Sequence, residues 1–82
     1  MLYVEVYVPA LEKEYEFSLN EHARIGAVID EISSVVSVQE QKKWQPDTEE
    51  RILCNATGMC ILPADHTLYE CRVHPGSRLI LL

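Results

Sequence analysis

The sequence predicts an α+β domain in which one amphipathic helix packs against a mixed sheet of four to five strands. Three observations lead to this prediction. Apolar and polar residues alternate near the N-terminus, apolar residues recur at helical spacing in the middle, and an apolar run closes the sequence. Because 82 residues is the length of one small domain, we expect a single domain over residues 1–82.

The N-terminal region predicts a β-hairpin. Residues 2–8 place Leu or Val at every second position, which is the period of a strand with one apolar face. Pro9 ends this strand because proline cannot donate a ladder hydrogen bond. Residues 10–12 predict a turn, and a second alternating run over residues 14–19 carries acidic residues on its outer side.

The middle of the chain predicts a helix followed by a long loop. An apolar stripe at helical spacing consists of Ile25, Val28, Ile29, Ile32, Val35 and Val36. Gly26 near its start costs about 1 kcal/mol relative to alanine in an exposed helix interior, so we expect a close backbone approach there. Residues 37–50 are polar, lack helical or strand periodicity and include Trp44, and they predict the longest loop.

The C-terminal region predicts a second hairpin and a final strand. Residues 51–54 and 59–62 flank a turn in which Asn55 and Gly58 tolerate positive φ. Residues 66–73 predict a short helical turn, since two of their apolar residues are three apart. The run over residues 77–82 is apolar on both faces, which suits the middle of a sheet.

This order of elements corresponds to the β-grasp arrangement, in which the last strand lies beside the first and one helix crosses the sheet. The residues expected to share its core are Val4, Val6, Phe17, Ile25, Val28, Ile32, Leu62, Leu68 and Leu79.

Charge and composition exclude several classes of partner. Seven basic against thirteen acidic residues give a formal net charge of −6, which opposes the counterion release that drives nucleic-acid binding. The same negative charge disfavours binding to anionic membrane surfaces. No apolar run approaches the roughly 18 residues of a membrane span, and no secretory signal is visible, so we expect a cytoplasmic protein without membrane insertion.

The cysteines and histidines predict no catalytic residue, metal site or cofactor. Three cysteines without a secretory signal suggest reduced thiols, and Cys54 and Cys60 lack the tight Cys-x2-Cys spacing of zinc sites. The three histidines are far apart in sequence. Cys71 and His74 are the one nucleophile-and-base pair to weigh, but Cys71 falls on the predicted core side of its turn. We therefore expect a protein that is not an enzyme.

The segment from Arg51-Ile52-Leu53 through Asp65-His66-Thr67-Leu68 to the final apolar strand resembles the second half of ubiquitin-like domains. Residues 2–32 are similar to the first half. Among such domains the chain is most similar to the bacterial YukD/EsaB family, small ubiquitin-like proteins encoded with type VII secretion systems. This similarity is carried by Val73-His74-Pro75-Gly76-Ser77-Arg78-Leu79 and by the end of the chain directly after the last strand.

The resemblance implies an accessory or regulatory protein that binds components of a secretion machine without catalysis. A ubiquitin-like interaction module of another pathway is the alternative. A conjugated modifier or a sulfur carrier would need an exposed C-terminal Gly-Gly, whereas this sequence ends in Ile80-Leu81-Leu82.

Two regions are candidates for binding a protein partner. Trp44 lies in the polar loop, and aromatic residues often anchor interfaces. The sheet face opposite the helix is the second candidate, because ubiquitin-like domains commonly bind through it and Tyr3, Tyr7, Leu53 and Met59 are expected there. An apolar patch on so small a domain would be unusual unless it met a partner.

Overall fold

The computed structural model of the protein describes residues 1–40 and 51–82, in which one helix packs on one side of a five-stranded mixed sheet. Its elements are β1 (Leu2–Val8), β2 (Lys13–Leu19), α1 (Ile25–Glu40), β3 (Leu53–Asn55), β4 (Cys60–Leu62) and β5 (Arg78–Leu81). The strand order is β2-β1-β5-β3-β4. Strand β5 runs parallel to β1 and antiparallel to β3. The predicted placement of the last strand beside the first is therefore confirmed.

The predicted N-terminal hairpin is also confirmed. Strands β1 and β2 pair antiparallel, with Leu2 opposite Leu19 and Val8 opposite Lys13. The connecting turn is closed by a hydrogen bond from the Leu11 amide to the Val8 carbonyl at 3.0 Å. The residue before β2, Glu12, has φ 53°, which lets the chain reverse direction.

Helix α1 buries most of the predicted stripe and is longer than predicted. Val35 is 39% exposed, so its position lies at the border of the buried face. Residues 37–40 are helical, although their lack of apolar periodicity predicted a loop. Tertiary contacts explain the difference, because the Glu40 carboxylate accepts hydrogen bonds from Lys13 Nζ at 2.9 Å and Tyr15 Oη at 2.5 Å. These bonds fix the last turn of the helix against β2.

The first turn of α1 donates two backbone hydrogen bonds to the loop that precedes the helical turn near the C-terminus. The Ile25 amide donates to the His66 carbonyl at 2.8 Å, and the Gly26 amide donates to the Ala64 carbonyl at 3.0 Å. Amides in the first turn of a helix have no intrahelical partner, so the two loop carbonyls satisfy them instead. A methyl group at Gly26 would lie 3.4 Å from the Ala64 oxygen, which is ordinary contact. The expected close backbone approach is therefore present, although a methyl group at Gly26 would still fit.

The second hairpin forms as predicted, with β3 antiparallel to β4 and Leu53 opposite Leu62. Its turn differs in one detail from the prediction. Among the described non-glycine residues of this turn the positive φ belongs to Met59, at 53°, and neither Asn55 nor Gly58 adopts one. Farther along the chain, the Cys71 amide donates to the Thr67 carbonyl at 3.1 Å and closes the predicted helical turn.

One hydrophobic core lies between the helix and the sheet. Every residue predicted for this core is buried except Phe17, which is half-buried because β2 is an edge strand. The helical turn contributes the fully buried Leu68. Within residues 1–40 and 51–82, no helix combines the length and hydropathy needed to cross a bilayer.

Candidate functional site: the outer face of the sheet

The sheet has a second face, opposite the helix, which we call the outer face. Along β1 the buried Val4 and Val6 point toward the helix, so Tyr3, Glu5 and Tyr7 point the other way. Tyr3 is 67% exposed and Tyr7 is half-buried. The structure therefore places both predicted tyrosines on the outer face.

A row of paired residues crosses the outer face through all five strands. Tyr7 lies opposite Glu14 on β2 and beside Ile80 on β5. Ile80 in turn lies opposite Cys54 on β3, which lies opposite Ile61 on β4. With neighbouring strands about 4.8 Å apart, the row spans about 19 Å. It begins at a carboxylate and ends at an exposed apolar side chain.

The β5-β3-β4 side of the outer face contains a shallow cleft of about 220 Å³, which we call the apolar cleft. Its principal side chains are those of Cys54, Met59, Ile61, Ile80 and Leu82. Met59, Ile61 and Leu82 are each more than 60% exposed, at 87%, 66% and 61%. Three large apolar side chains around one depression form the kind of surface that soluble proteins usually cover with a partner.

The β2-β1 side is acidic, and we call Glu5, Glu14 and Glu16 the acidic rim. Glu5 lies directly opposite Glu16 in the β1–β2 pair. Arg78 on β5 lies between the acidic rim and the apolar cleft, with Nη2 3.4 Å from a Glu5 carboxylate oxygen and 3.6 Å from one of Glu14. One guanidinium therefore contacts two of the three carboxylates, and this side of the outer face carries excess negative charge.

The other three predicted binding residues differ in where they lie. Leu53 is fully buried on the helix side of the sheet, so its prediction for the outer face is wrong. It lies opposite Leu62 and Leu81, both buried, and the outward residue of β3 is its neighbour Cys54. Met59 lies in the apolar cleft as predicted. Trp44 lies outside the described residues.

The sequence did not indicate that Ile61, Ile80 and Leu82 lie on the outer face. Strands β4 and β5 are only three and four residues long, and apolar side chains occupy both faces. Their phase follows from the register that pairs Ile80 with Tyr7, because partners in register share a face, and the sequence does not show that register.

The chemistry of the remaining polar residues does not favour nucleophilic catalysis at Cys71. Burial raises the pKa of the Cys71 thiol, and the neighbouring Glu70 carboxylate raises it further. A raised pKa keeps the thiol protonated, whereas a nucleophilic cysteine needs its thiolate. Within residues 1–40 and 51–82, no cluster of three or more His, Cys, Asp or Glu side chains could hold a metal ion.

Comparison with known proteins gives similarity at the level of structure. No protein-family model and no curated protein sequence matches the chain. The EccD5 ubiquitin-like domain from Mycobacterium xenopi superimposes with a TM-score of 0.80 at 22% identity, covering 99% of this chain and 91% of that one. Caldiarchaeum subterraneum ubiquitin gives a TM-score of 0.74 at 16% identity, with coverage of 98% and 89%.

A plant protein domain shows the same likeness. The ubiquitin-like domain of an Arabidopsis thaliana protein superimposes with a TM-score of 0.73 at 17% identity, covering 99% of this chain and 74% of that one. At these identities the likeness concerns the fold. Together with the strand order and the single helix packed on the described sheet, it shows that the chain has the ubiquitin-like β-grasp fold.

Proposed function

We propose that the protein is a non-catalytic accessory or regulatory component of a type VII-like secretion system and binds a protein of that machine through its outer face. The observation that carries the binding role is the apolar cleft, where Met59, Ile61 and Leu82 are largely exposed around one depression. Burying such side chains is the main favourable term in protein association. Pairing between β3, β4 and β5 holds the strand residues of the cleft side by side.

Two similarities support the secretion role. The ubiquitin-like resemblance covers nearly the whole chain, residues 73–79 are most similar to the YukD/EsaB family, and the EccD5 ubiquitin-like domain, which comes from a type VII secretion system, has the same fold. A net charge of −6 supports a protein rather than a nucleic acid as the partner. We further propose that the protein works in the cytoplasm.

A ubiquitin-like interaction module of another pathway is the second candidate. It is favoured by the likeness of the chain to ubiquitin-like domains of other origins, such as the Arabidopsis domain, at TM-scores comparable to that of EccD5. Both candidates use the same surface, so the identity of the bound protein separates them.

Site-specific photocrosslinking in the native cell tests the proposal. A crosslinking amino acid at Ile61, which is 66% exposed in the apolar cleft, should capture a component of the secretion machine. The matched control is the same amino acid at Val38, which is 75% exposed on the helix. Capture of a protein from an unrelated pathway at Ile61 would favour the second candidate. Equal capture at both positions would contradict binding through the outer face.

A further inference from the structure

We infer that the segment bound by the outer face is a basic amphipathic one, with apolar side chains in the apolar cleft and Lys or Arg side chains over the acidic rim. The inference rests on the proposed function and specifies the chemistry of the partner. It follows from the position of two chemically different surfaces side by side on one sheet.

The geometry requires a partner with two kinds of side chain. The row from Glu14 through Tyr7 and Ile80 to Ile61 runs from the acidic rim into the apolar cleft over about 19 Å. A helix rising 1.5 Å per residue covers that distance in about 13 residues. A single segment can therefore contact both surfaces, and one that fills the cleft along this row extends over the carboxylates.

The charges on the outer face determine which sign of charge a bound segment should carry. Glu5 and Glu16 are directly opposed on neighbouring strands, an arrangement that destabilises a sheet when both are ionised. Arg78 contacts Glu5 and Glu14 at 3.4 and 3.6 Å, and its one charge leaves the acidic rim with an excess of negative charge. A cation from a partner relieves this repulsion, whereas an anionic segment adds to it.

A second copy of the chain fits this surface poorly. Each copy carries a net charge of −6, and two outer faces brought together would place one acidic rim near the other. Complementary charge also steers association and suppresses wrong partners. The occupant that meets both requirements is a segment of another protein that is rich in Lys or Arg and has an apolar stripe.

Selection from a random peptide library displayed on phage tests this inference with the full-length protein as bait. We expect the enriched peptides to combine apolar residues with an excess of Lys and Arg. Binding of the strongest peptide should perturb the amide resonances of Ile61, Ile80 and Glu14 in the isotope-labelled protein. Replacing Glu5, Glu14 and Glu16 by Gln should weaken its binding about tenfold at low salt and reduce its salt dependence.

The matched control replaces three exposed acidic residues on or beside the helix, as Asp30→Asn, Glu31→Gln and Asp65→Asn, and changes the net charge by the same amount. It should leave the affinity within about twofold. Equal weakening by both triple variants would show that net charge alone acts, and would overturn the inference. Enriched peptides without basic residues that map to the apolar cleft would overturn it while leaving the proposed binding surface intact. Perturbations confined to the helix side would overturn both.

Discussion

Glu5 on β1 lies directly opposite Glu16 on β2, while Arg78 on the other side of β1 reaches Glu5 at 3.4 Å. The neighbouring strands therefore place a like-charge pair and an opposite-charge pair around one carboxylate. Among the described residues, Arg78 forms ion pairs with Glu5 and Glu14 but not with Glu16. The free protein retains a repulsion that a single substitution can remove.

Glu16→Lys should stabilise the protein by about 0.2–1 kcal/mol, because it converts the opposed pair with Glu5 into a favourable one. Urea denaturation at low salt measures the change in free energy of unfolding. Adding salt should shrink the difference, since both side chains lie at the surface. Glu31→Lys on the exposed side of the helix is the matched charge change and should have a smaller effect. A loss of stability in Glu16→Lys would contradict the repulsion.

Ile32→Ala should destabilise the protein by about 2–5 kcal/mol, because Ile32 is fully buried beneath the sheet and its truncation leaves a cavity. Its neighbour Glu31 is exposed, and Glu31→Ala should cost under about 0.5 kcal/mol. Chemical denaturation of the two variants beside the wild type makes the comparison. Similar losses in both would mean that the helix presents a different face to the core.

Gly26→Ala should raise the stability by about 0.5–1 kcal/mol. Gly26 lies in the helix without a positive φ, and an added methyl group would meet the Ala64 oxygen at 3.4 Å. Alanine reduces the conformational entropy of the unfolded chain without straining the folded one. A thermal melt would show the gain as a higher midpoint. A lower midpoint would mean that the first turn of the helix cannot accommodate the methyl group.

Ionisation of the Tyr15 phenol should make the folded protein less stable at high pH. Burial, the hydrogen bond to the Glu40 carboxylate and the charge of that carboxylate together raise the pKa of the Tyr15 phenol to about 12. Because the folded pKa exceeds the unfolded value of 10, this contribution is complete below pH 10 and disappears as the pH rises toward 12.

Tyr15→Phe removes this ionisation and should cost about 1 kcal/mol at neutral pH through the lost hydrogen bond. Denaturation at pH 7 and pH 11 should show that the gap between wild type and variant narrows at the higher pH. Tyr3→Phe is the control, because Tyr3 is 67% exposed on the outer face. A gap that stays constant would show that the phenol does not titrate differently in the folded state.

The elements that could be predicted from sequence are those with enough residues to establish a period. Strand β1 repeats its alternation over Leu2–Val8, and its two faces were assigned correctly. Strand β3 has three residues, so the period could not decide whether Leu53 or Cys54 faces the helix. The end of α1 also escaped prediction, because contacts between Glu40 and residues of β2 hold it and no local pattern records them.

The parallel pairing of β1 with β5 places Glu5 beside Arg78. The centre of the sheet therefore forms from two strands that are far apart in sequence. Closing so long a loop is entropically costly and slows folding relative to structures built from local contacts. The N-terminal hairpin and the helix can form early during synthesis, but the central strand is complete only after Leu81 has left the ribosome. Until then the core side chains of β1 lack their neighbours on β5, and the growing chain exposes an open strand edge to the cell.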